Sequence, residues 1–255
     1  MNLGNYKRDT NMAGDVREFQ KYKTRGAYHW EQIGYHILKR NAFVLGRYRN
    51  VISLLKKEFG SLYNKKILDI GCGDGVLSYL LSKEGALVSG VDYSDIAIGY
   101  AKEKCQGTNI DFKQGSAYDL DFGQSSFDAV VSSDVIEHLE DVPKYLSEIK
   151  RVVTNRGIVV LSTPVKYTEY PLDKEHVIEW FPNEYKNVIE SYFENSIYHY
   201  SHPLALQEIY EATYFGKTWG RVLFNIYSFL INPFEGFTSR FKHMALQYSV
   251  SKVKK

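Results

Sequence analysis

Two short stretches of this chain carry side chains suited to chemistry. SDVIEHL, residues 133–139, sets Asp134, Glu137 and His138 within five positions. In a helix, offsets of three and four would bring all three to one face. Such a face suits three roles: binding a metal, moving a proton, or finishing a helix end. At a helix end Asp134 would cap, Glu137 would support it and His138 would pack alongside, since acidic groups satisfy a helix start and its dipole. As a proton acceptor, His138 has the side chain best matched to neutral pH.

LDIGCGDG (68–75) reads as strand, tight turn and helix start. Glycines at 71, 73 and 75 lack the β-carbon that would obstruct a sharp turn or the close approach of a ligand. Asp92, 21 residues after Gly71 at the end of the next β-rich run, can accept hydrogen bonds from a ribose diol, and Tyr93 can lie against an adenine face. The spacing separates two classes of cofactor. Dinucleotide turns take G-x-G-x-x-G and receive a pyrophosphate at the helix N-terminus. Here the third glycine follows the second by two positions and residue 76 is Val, which argues against a dehydrogenase. Asp69 on the strand and Asp74 in the turn would also oppose a pyrophosphate with carboxylates. Two acids suit a cation, and S-adenosylmethionine carries a sulfonium and an ammonium but no phosphate.

The elements that must position these groups are legible around them. Residues 41–59 carry Val44, Leu45, Tyr48, Val51, Ile52, Leu55 and Phe59 at threes and fours, an apolar helical stripe, with Gly60 as its C-cap. A further helix opens at Asp15-Val16-Arg17-Glu18-Phe19. From Lys66 strand-like and helical runs alternate: 67–70, helix 75–84, 86–91, helix 95–104, 109–114, 127–131, helix 141–153 and 157–163. That alternation predicts a parallel sheet with helices on both faces. ILDI and VVLS lack polar alternation, as strands covered on both sides do. After Pro164 come a helix over 182–193, a strand near 196–200, an aromatic helical stretch over 204–242, and MALQYSVSKV (244–253), whose alternation suits an edge strand.

Together, LDIGCGDG, VDYS (91–94) and FDAVVSSDVIEHLEDVPKYLSEIKRVVTNRGIVVLSTP (127–164) resemble the class I S-adenosylmethionine-dependent methyltransferases, especially the group containing the ubiquinone-biosynthesis O-methyltransferases. The resemblance implies a three-layer, Rossmann-like α/β fold with a seven-stranded, mostly parallel sheet and an antiparallel last strand. It implies that Asp69, Gly71, Cys72 and Gly73 hold the amino-acid end of the cofactor, Asp92 the ribose hydroxyls and Tyr93 the adenine face, with Ser133 by the methionyl part. The family's acidic residue after the third strand is replaced in QGSAYDL (114–120) by Ser116 and Ala117. Either Ser116 meets the adenine amino group, or stacking and backbone hold the ring. An N-terminal helix closes over the cofactor in this family, which would bring Tyr28, His29 and Trp30 to the acceptor, His29 as a catalytic candidate beside His138 and His176; the same cluster also reads as core between lid and sheet.

SDVIEHL also resembles the Glu-x-x-Glu-His of small-RNA terminal 2′-O-methyltransferases, which hold a divalent ion with a further His after the fifth strand. That resemblance implies a metal set of Asp134, Glu137, His138 and His176, the last from KEHVIEWFPNEY (174–185), around an ion such as Mg or Mn. His176 equally suits packing against Trp180 and Phe181.

Composition bounds the remaining choices. The chain has 255 residues, with 32 basic against 30 acidic ones, so no global field draws in nucleic acid and an RNA acceptor is disfavoured. Two cysteines without paired spacing argue against a disulfide framework and for a reducing, cytoplasmic setting. The start lacks a secretory apolar run, and Val222 to Ile231 is about half the length of a membrane span. The expected organisation is a helical lid over 1–60, a cofactor-binding core over 61–203, an aromatic insertion over 204–243 that caps the substrate, and a final core strand over 244–255. Lys217, Arg221, Arg240 and Lys242 flank the insertion's apolar run, a pattern compatible with a lipid interface, although a cap with its apolar face buried on the sheet is the commoner arrangement. The leading reading is an S-adenosylmethionine-dependent O-methyltransferase for a small-molecule acceptor, such as a sugar, glycan-linked, phenolic or lipid-linked compound. The alternatives are a metal-dependent RNA 2′-O-methyltransferase and a non-catalytic scaffold. Oligomeric state has no signature in the sequence.

Overall fold

The computed structural model describes residues 21–169, 173, 175–213 and 218–254. The helix opening at Asp15 and the flanking Lys217 lie outside them. Short helices α1 (Lys21–Arg25) and α2 (Tyr28–Ile33) lead to α3 (Ala42–Phe59). Then follow β1 (Lys66–Ile70), α4 (Val76–Lys83), β2 (Leu87–Asp92), α5 (Asp95–Lys104), β3 (Asp111–Gln114), β4 (Phe127–Ser133), a 3-10 turn (Ile136–His138), α6 (Val142–Val152) and β5 (Val153–Pro164). The chain closes with α7 (Pro182–Glu190), β6 (Ile197–Pro203), α8 (Leu204–Glu211), α9 (Trp219–Tyr227) and β7 (Met244–Lys252).

Local chemistry sets the helix ends. The Asn41 side chain accepts from Val44 N at 3.2 Å to start α3, which stops at Gly60 with φ +74°. Ser94 and Asp141 cap α5 and α6 in the same way, accepting from Ala97 N and Lys144 N.

The seven strands run in the order β3-β2-β1-β4-β5-β7-β6. All pairs from β3 to β5 are parallel, and β7 is antiparallel to both of its neighbours. Alternate residues of each central strand feed two cores. Val130, Val159 and Leu161 meet Tyr145, Leu146 and Ile149 of α6 on one face; Ala129, Val131 and Val160 meet Val51, Leu54 and Leu55 of α3 on the other. This is why these strands read as continuous apolar runs.

The last strand departs from the edge-strand expectation, because β7 lies between β5 and β6. Its alternation survives inside the protein through satisfied polar groups. Gln247 donates to the carbonyls of Pro164 and Trp180 at 3.1 and 3.0 Å, and Ser249 and Ser251 pair with the hydroxyls of Tyr185 and Ser196 at 3.0 and 2.6 Å.

The insertion departs as well. Its buried side on α9 is the polar Asn225, which accepts from Ala42 N at 3.0 Å and donates to the carbonyls of Ile37 and Arg40. Trp219, Leu223, Ile226 and Tyr227 face outward, so the apolar face is not packed on the sheet. Among the described residues no helix is long and apolar enough to cross a membrane.

Chain order turns back between β1 and β4, where β1 continues to β2 on one side and β4 to β5 on the other. A crevice opens at the carboxyl ends of strands at such a point. The glycine turn follows β1 and SDVIEHL follows β4, so topology sets the two motifs side by side.

Candidate functional site

The motifs touch where the Gly71 backbone meets the Val135 side chain. Gly71 and Gly73 have φ of +71° and +55°, which glycine adopts without strain. A β-carbon on Gly71 would stand 2.3 Å from Val135 Cγ2, inside SDVIEHL, and one on Gly73 would stand 2.0 Å from the Tyr22 hydroxyl. Glycine here is what allows α1 and the β4 loop to close on the turn. They enclose a cavity of about 900 Å³ lined by both motifs, the ends of β2 and β3, and residues of α1 to α3 and α8.

Three carboxylates surround the turn, and they divide their tasks. Asp92 accepts from Gly73 N at 2.8 Å through Oδ2 and from Ser94 N at 2.9 Å through Oδ1. A carboxylate has about four acceptor positions, so each oxygen retains capacity for a ligand hydroxyl. Asp69 is buried at the cavity floor, accepts from Ser78 Oγ at 2.7 Å, and is pushed by burial up to about 7. Asp74 does not line the cavity, contrary to the expectation that it would face the ligand. It holds α2 instead: Oδ2 accepts from His29 N at 3.0 Å, Oδ1 lies 3.1 Å from His29 Nδ1, and its carbonyl accepts from Trp30 Nε1 at 2.7 Å.

The remaining cofactor candidates are spread around the same cavity. Tyr93 stands at its rim, and Ser116 and Ala117 line it at the end of β3, with Ser116 Oγ accepting from Tyr118 N at 3.1 Å. Ser133 Oγ lies 3.0 Å from Ser162 Oγ. Cys72 lines the cavity, yet its side chain packs with Ile98, Ala101 and Phe112. Among the described residues the lysine and arginine lining the cavity are Lys21 and Arg47; Lys21 Nζ is 2.5 Å from Glu175 Oε2, and Arg47 pairs with Asp134. With its cations neutralised and two carboxylates turned inward, the donor set fits a cationic ligand without phosphate.

SDVIEHL does not form the helical face its spacing suggests. Asp134 takes φ +54°, and only the 3-10 turn follows, capped by no side chain. Asp134 is therefore not the N-cap. Its Oδ2 accepts from Arg47 Nη1 on α3, and its Oδ1 accepts from Ser162 Oγ at 2.9 Å. Glu137 is fully buried: Oε2 accepts from Thr163 Oγ1 at 3.0 Å, and Oε1 has no hydrogen-bond partner among the described residues. Burial, and then the Asp134 carboxylate, hold its carboxyl well above the usual range.

The Glu137 carbonyl accepts from Val177 N and Ile178 N, which ties down the strand-to-helix segment carrying His176. His138 Nδ1 donates to the Glu175 carbonyl at 2.9 Å, which in the neutral ring leaves the lone pair on Nε2. Burial lowers the His138 pKa. His176 Nδ1 donates to Glu179 Oε1 at 2.6 Å, and the two imidazoles stand 5.0 Å apart, edge to face. Ligand atoms of Glu137, His138 and His176 lie within 4.8 Å of one another, whereas Asp134 is drawn away by Arg47 and is not in this group. His29, the other catalytic candidate, lines the cavity with its Nδ1 against Asp74 and its ring 4.0 Å from that of Tyr28.

Arg47, Tyr22 and Glu179 are functional neighbours absent from the motif reading. Arg47 had a signal, a cation beside Tyr48 in an otherwise apolar helical stripe. Tyr22 had none, since it meets Gly73 across a long separation, whereas Glu179 had one, standing three residues after His176.

The methyltransferase-domain family model matches residues 68–161, which contain the glycine turn, Asp92 and SDVIEHL. A ubiquinone biosynthesis O-methyltransferase of Azorhizobium caulinodans is 32% identical over 189 residues, 68% of this chain and 73% of that protein. The chain belongs to the S-adenosylmethionine-dependent methyltransferases. A second relative of the same description, from Rhizobium leguminosarum bv. trifolii, is 31% identical over 46% of this chain and 49% of its own length. Phosphoethanolamine N-methyltransferase 2 of Haemonchus contortus, solved with S-adenosyl-L-methionine, superposes with TM-score 0.65 at 18% identity, covering 95% of this chain and 61% of that one. That likeness is one of fold. In this methyltransferase both inward carboxylates and the His138 loop fall within the matched residues, while His176 and α8 lie beyond them.

Proposed function

We propose that this enzyme methylates a hydroxyl of a small-molecule acceptor in the cytoplasm, with His138 as the base. When bound, S-adenosylmethionine supplies an electrophilic methyl group on a sulfonium. The chain's own residues would bind and orient it: Asp92 toward the ribose diol, Asp69 toward the ammonium at the floor with Gly71, Cys72 and Gly73 contributing backbone, Tyr93 with Ser116 and Ala117 around adenine, and Ser133 near the methionyl part. The observation that carries the reading is the fixed His138 ring, whose Nδ1–H is committed to the Glu175 carbonyl in the cavity that Asp69 and Asp92 line. Its Nε2 would take the acceptor proton, and its lowered pKa keeps it neutral for that purpose. The curated relatives named for ubiquinone biosynthesis support an acceptor hydroxyl, and the tyrosine-lined cavity supports a small molecule over a nucleic acid. His138→Ala should lower kcat by about 10²–10⁴-fold while the affinity for S-adenosylhomocysteine holds; an unchanged kcat on a phenolic acceptor that the native chain methylates would remove the base from His138.

A second reading has one observation in its favour. The unpartnered Glu137 Oε1 lies with His138 and His176, each of which is anchored through Nδ1 as metal-ligating imidazoles are. Glu137, His138 and His176 could hold a divalent ion that polarises the acceptor hydroxyl. Calorimetric titration with Mn²⁺ and Mg²⁺ separates the two readings: heat of binding lost in Glu137→Gln supports the ion, and activity unaffected by chelator excludes it.

A further inference from the structure

Two consecutive residues of α1 reach the two halves of the site. The Tyr22 hydroxyl covers the glycine turn, standing where a β-carbon on Gly73 would lie 2.0 Å from it. Lys21 meets the opposite wall: its Nζ is 2.5 Å from Glu175 Oε2 and 3.6 Å from Asp173 Oδ2. Both side chains of the closer pair are partly exposed, yet Glu175 Oε2 itself is closed off from water, so the pair is screened less than an open surface pair.

What Lys21 holds is the backbone that holds His138. Asp173 and Glu175 are tied together: Asp173 Oδ1 accepts from Glu175 N at 3.0 Å, and the Asp173 carbonyl accepts from His176 N at 3.1 Å. The Glu175 carbonyl in turn accepts from His138 Nδ1 at 2.9 Å. A neutral imidazole carries its proton on either nitrogen, and the hydrogen bond made by one decides the character of the other. In water the neutral ring prefers its proton on Nε2, and in that form Nε2 is a donor that takes no proton. The Glu175 carbonyl selects the opposite form.

We propose that Lys21 is a positioning residue: by fixing Asp173 and Glu175 it holds the Glu175 carbonyl on His138 Nδ1 and keeps the lone pair on Nε2 for the acceptor proton. The proposal rests on the assignment of His138 as the base. It makes the segment that covers the glycine turn the one that also sets the imidazole.

Long-range nitrogen–proton spectra of the full chain with isotope-labelled histidine read the tautomer directly. They are recorded with saturating S-adenosylhomocysteine and chelator, at a pH well above the imidazole range, with His138→Ala to assign the signal. The native ring should carry its proton on Nδ1. Lys21→Ala should move part of the population to Nε2–H and lower kcat, on an acceptor that the native chain methylates, by about two- to fivefold, the range a partly exposed ion pair supplies. Lys21→Arg should restore both. A native ring protonated on Nε2, or a tautomer unchanged in Lys21→Ala, overturns the proposal. So does a Lys21→Ala chain that loses only affinity for S-adenosylhomocysteine, since α1 would then be a cover and nothing more. A tautomer that shifts while kcat holds upholds the coupling through Lys21 and removes the base from His138, so the two assignments fail separately.

Discussion

Asp69 and Asp92 have the same side chain, face the same cavity and are both raised by burial, yet their hydrogen-bond supports differ. Asp92 is supported by two backbone N–H groups, whereas Asp69 has Ser78 and a burial strong enough to push it up to about 7. An ammonium favours the ionised carboxyl, so cofactor binding must remove a proton from Asp69 below that value. The affinity for S-adenosylhomocysteine should therefore weaken as pH falls through about 7 and level off above it. Calorimetry across pH checks this, and Asp69→Asn should flatten the dependence. Asp92→Ala should abolish measurable binding of radiolabelled S-adenosylmethionine; retained binding would detach the ribose from this residue. The placement of both aspartates at the cavity was legible from strand, turn and spacing, because it follows from local sequence. The Asp134–Arg47 pair was not, since its partners are separated by 87 positions.

At the scale of elements, the helices with local caps and sustained apolar stripes follow the sequence closely. α5 spans Asp95–Lys104 as its cap and composition dictate, and α3 starts one residue after its Asn cap. SDVIEHL misleads because a strand end buried beside α3 and β5 leaves room for a single 3-10 turn, so offsets of three and four never become one face. Asn225 shows the same dependence on tertiary context. It joins α9 to α8 and to the segment leading into α3 by four hydrogen bonds, one to Tyr210 and three to Ile37, Arg40 and Ala42. Asn225→Ala strands those groups and should destabilise the protein by about 3 kcal/mol. Urea unfolding measures this, with a lower midpoint at unchanged slope as the expected outcome.

Across the whole molecule, the cavity draws on the ends of β1 to β4 and on three helices before the sheet, so a ligand there bridges most of the fold. S-adenosylhomocysteine at a hundred times its Kd should add about 2.7 kcal/mol to stability. Thermal unfolding should show the shift in the native chain and none in Asp92→Ala.

By itself the sequence determined the alternating sheet and helices, the phosphate-free cofactor chemistry of the glycine turn, and the neighbourhood of His138, because each depends on periodicity or on groups a few residues apart. Tertiary structure alone decided that Asp74 holds a helix rather than a ligand, that Asp134 faces Arg47 rather than the two imidazoles, that β7 is interior, and that α9 turns its apolar side outward. In each of these cases the deciding contact joins distant segments, and a polar group finds its hydrogen-bond partner only after the chain has folded.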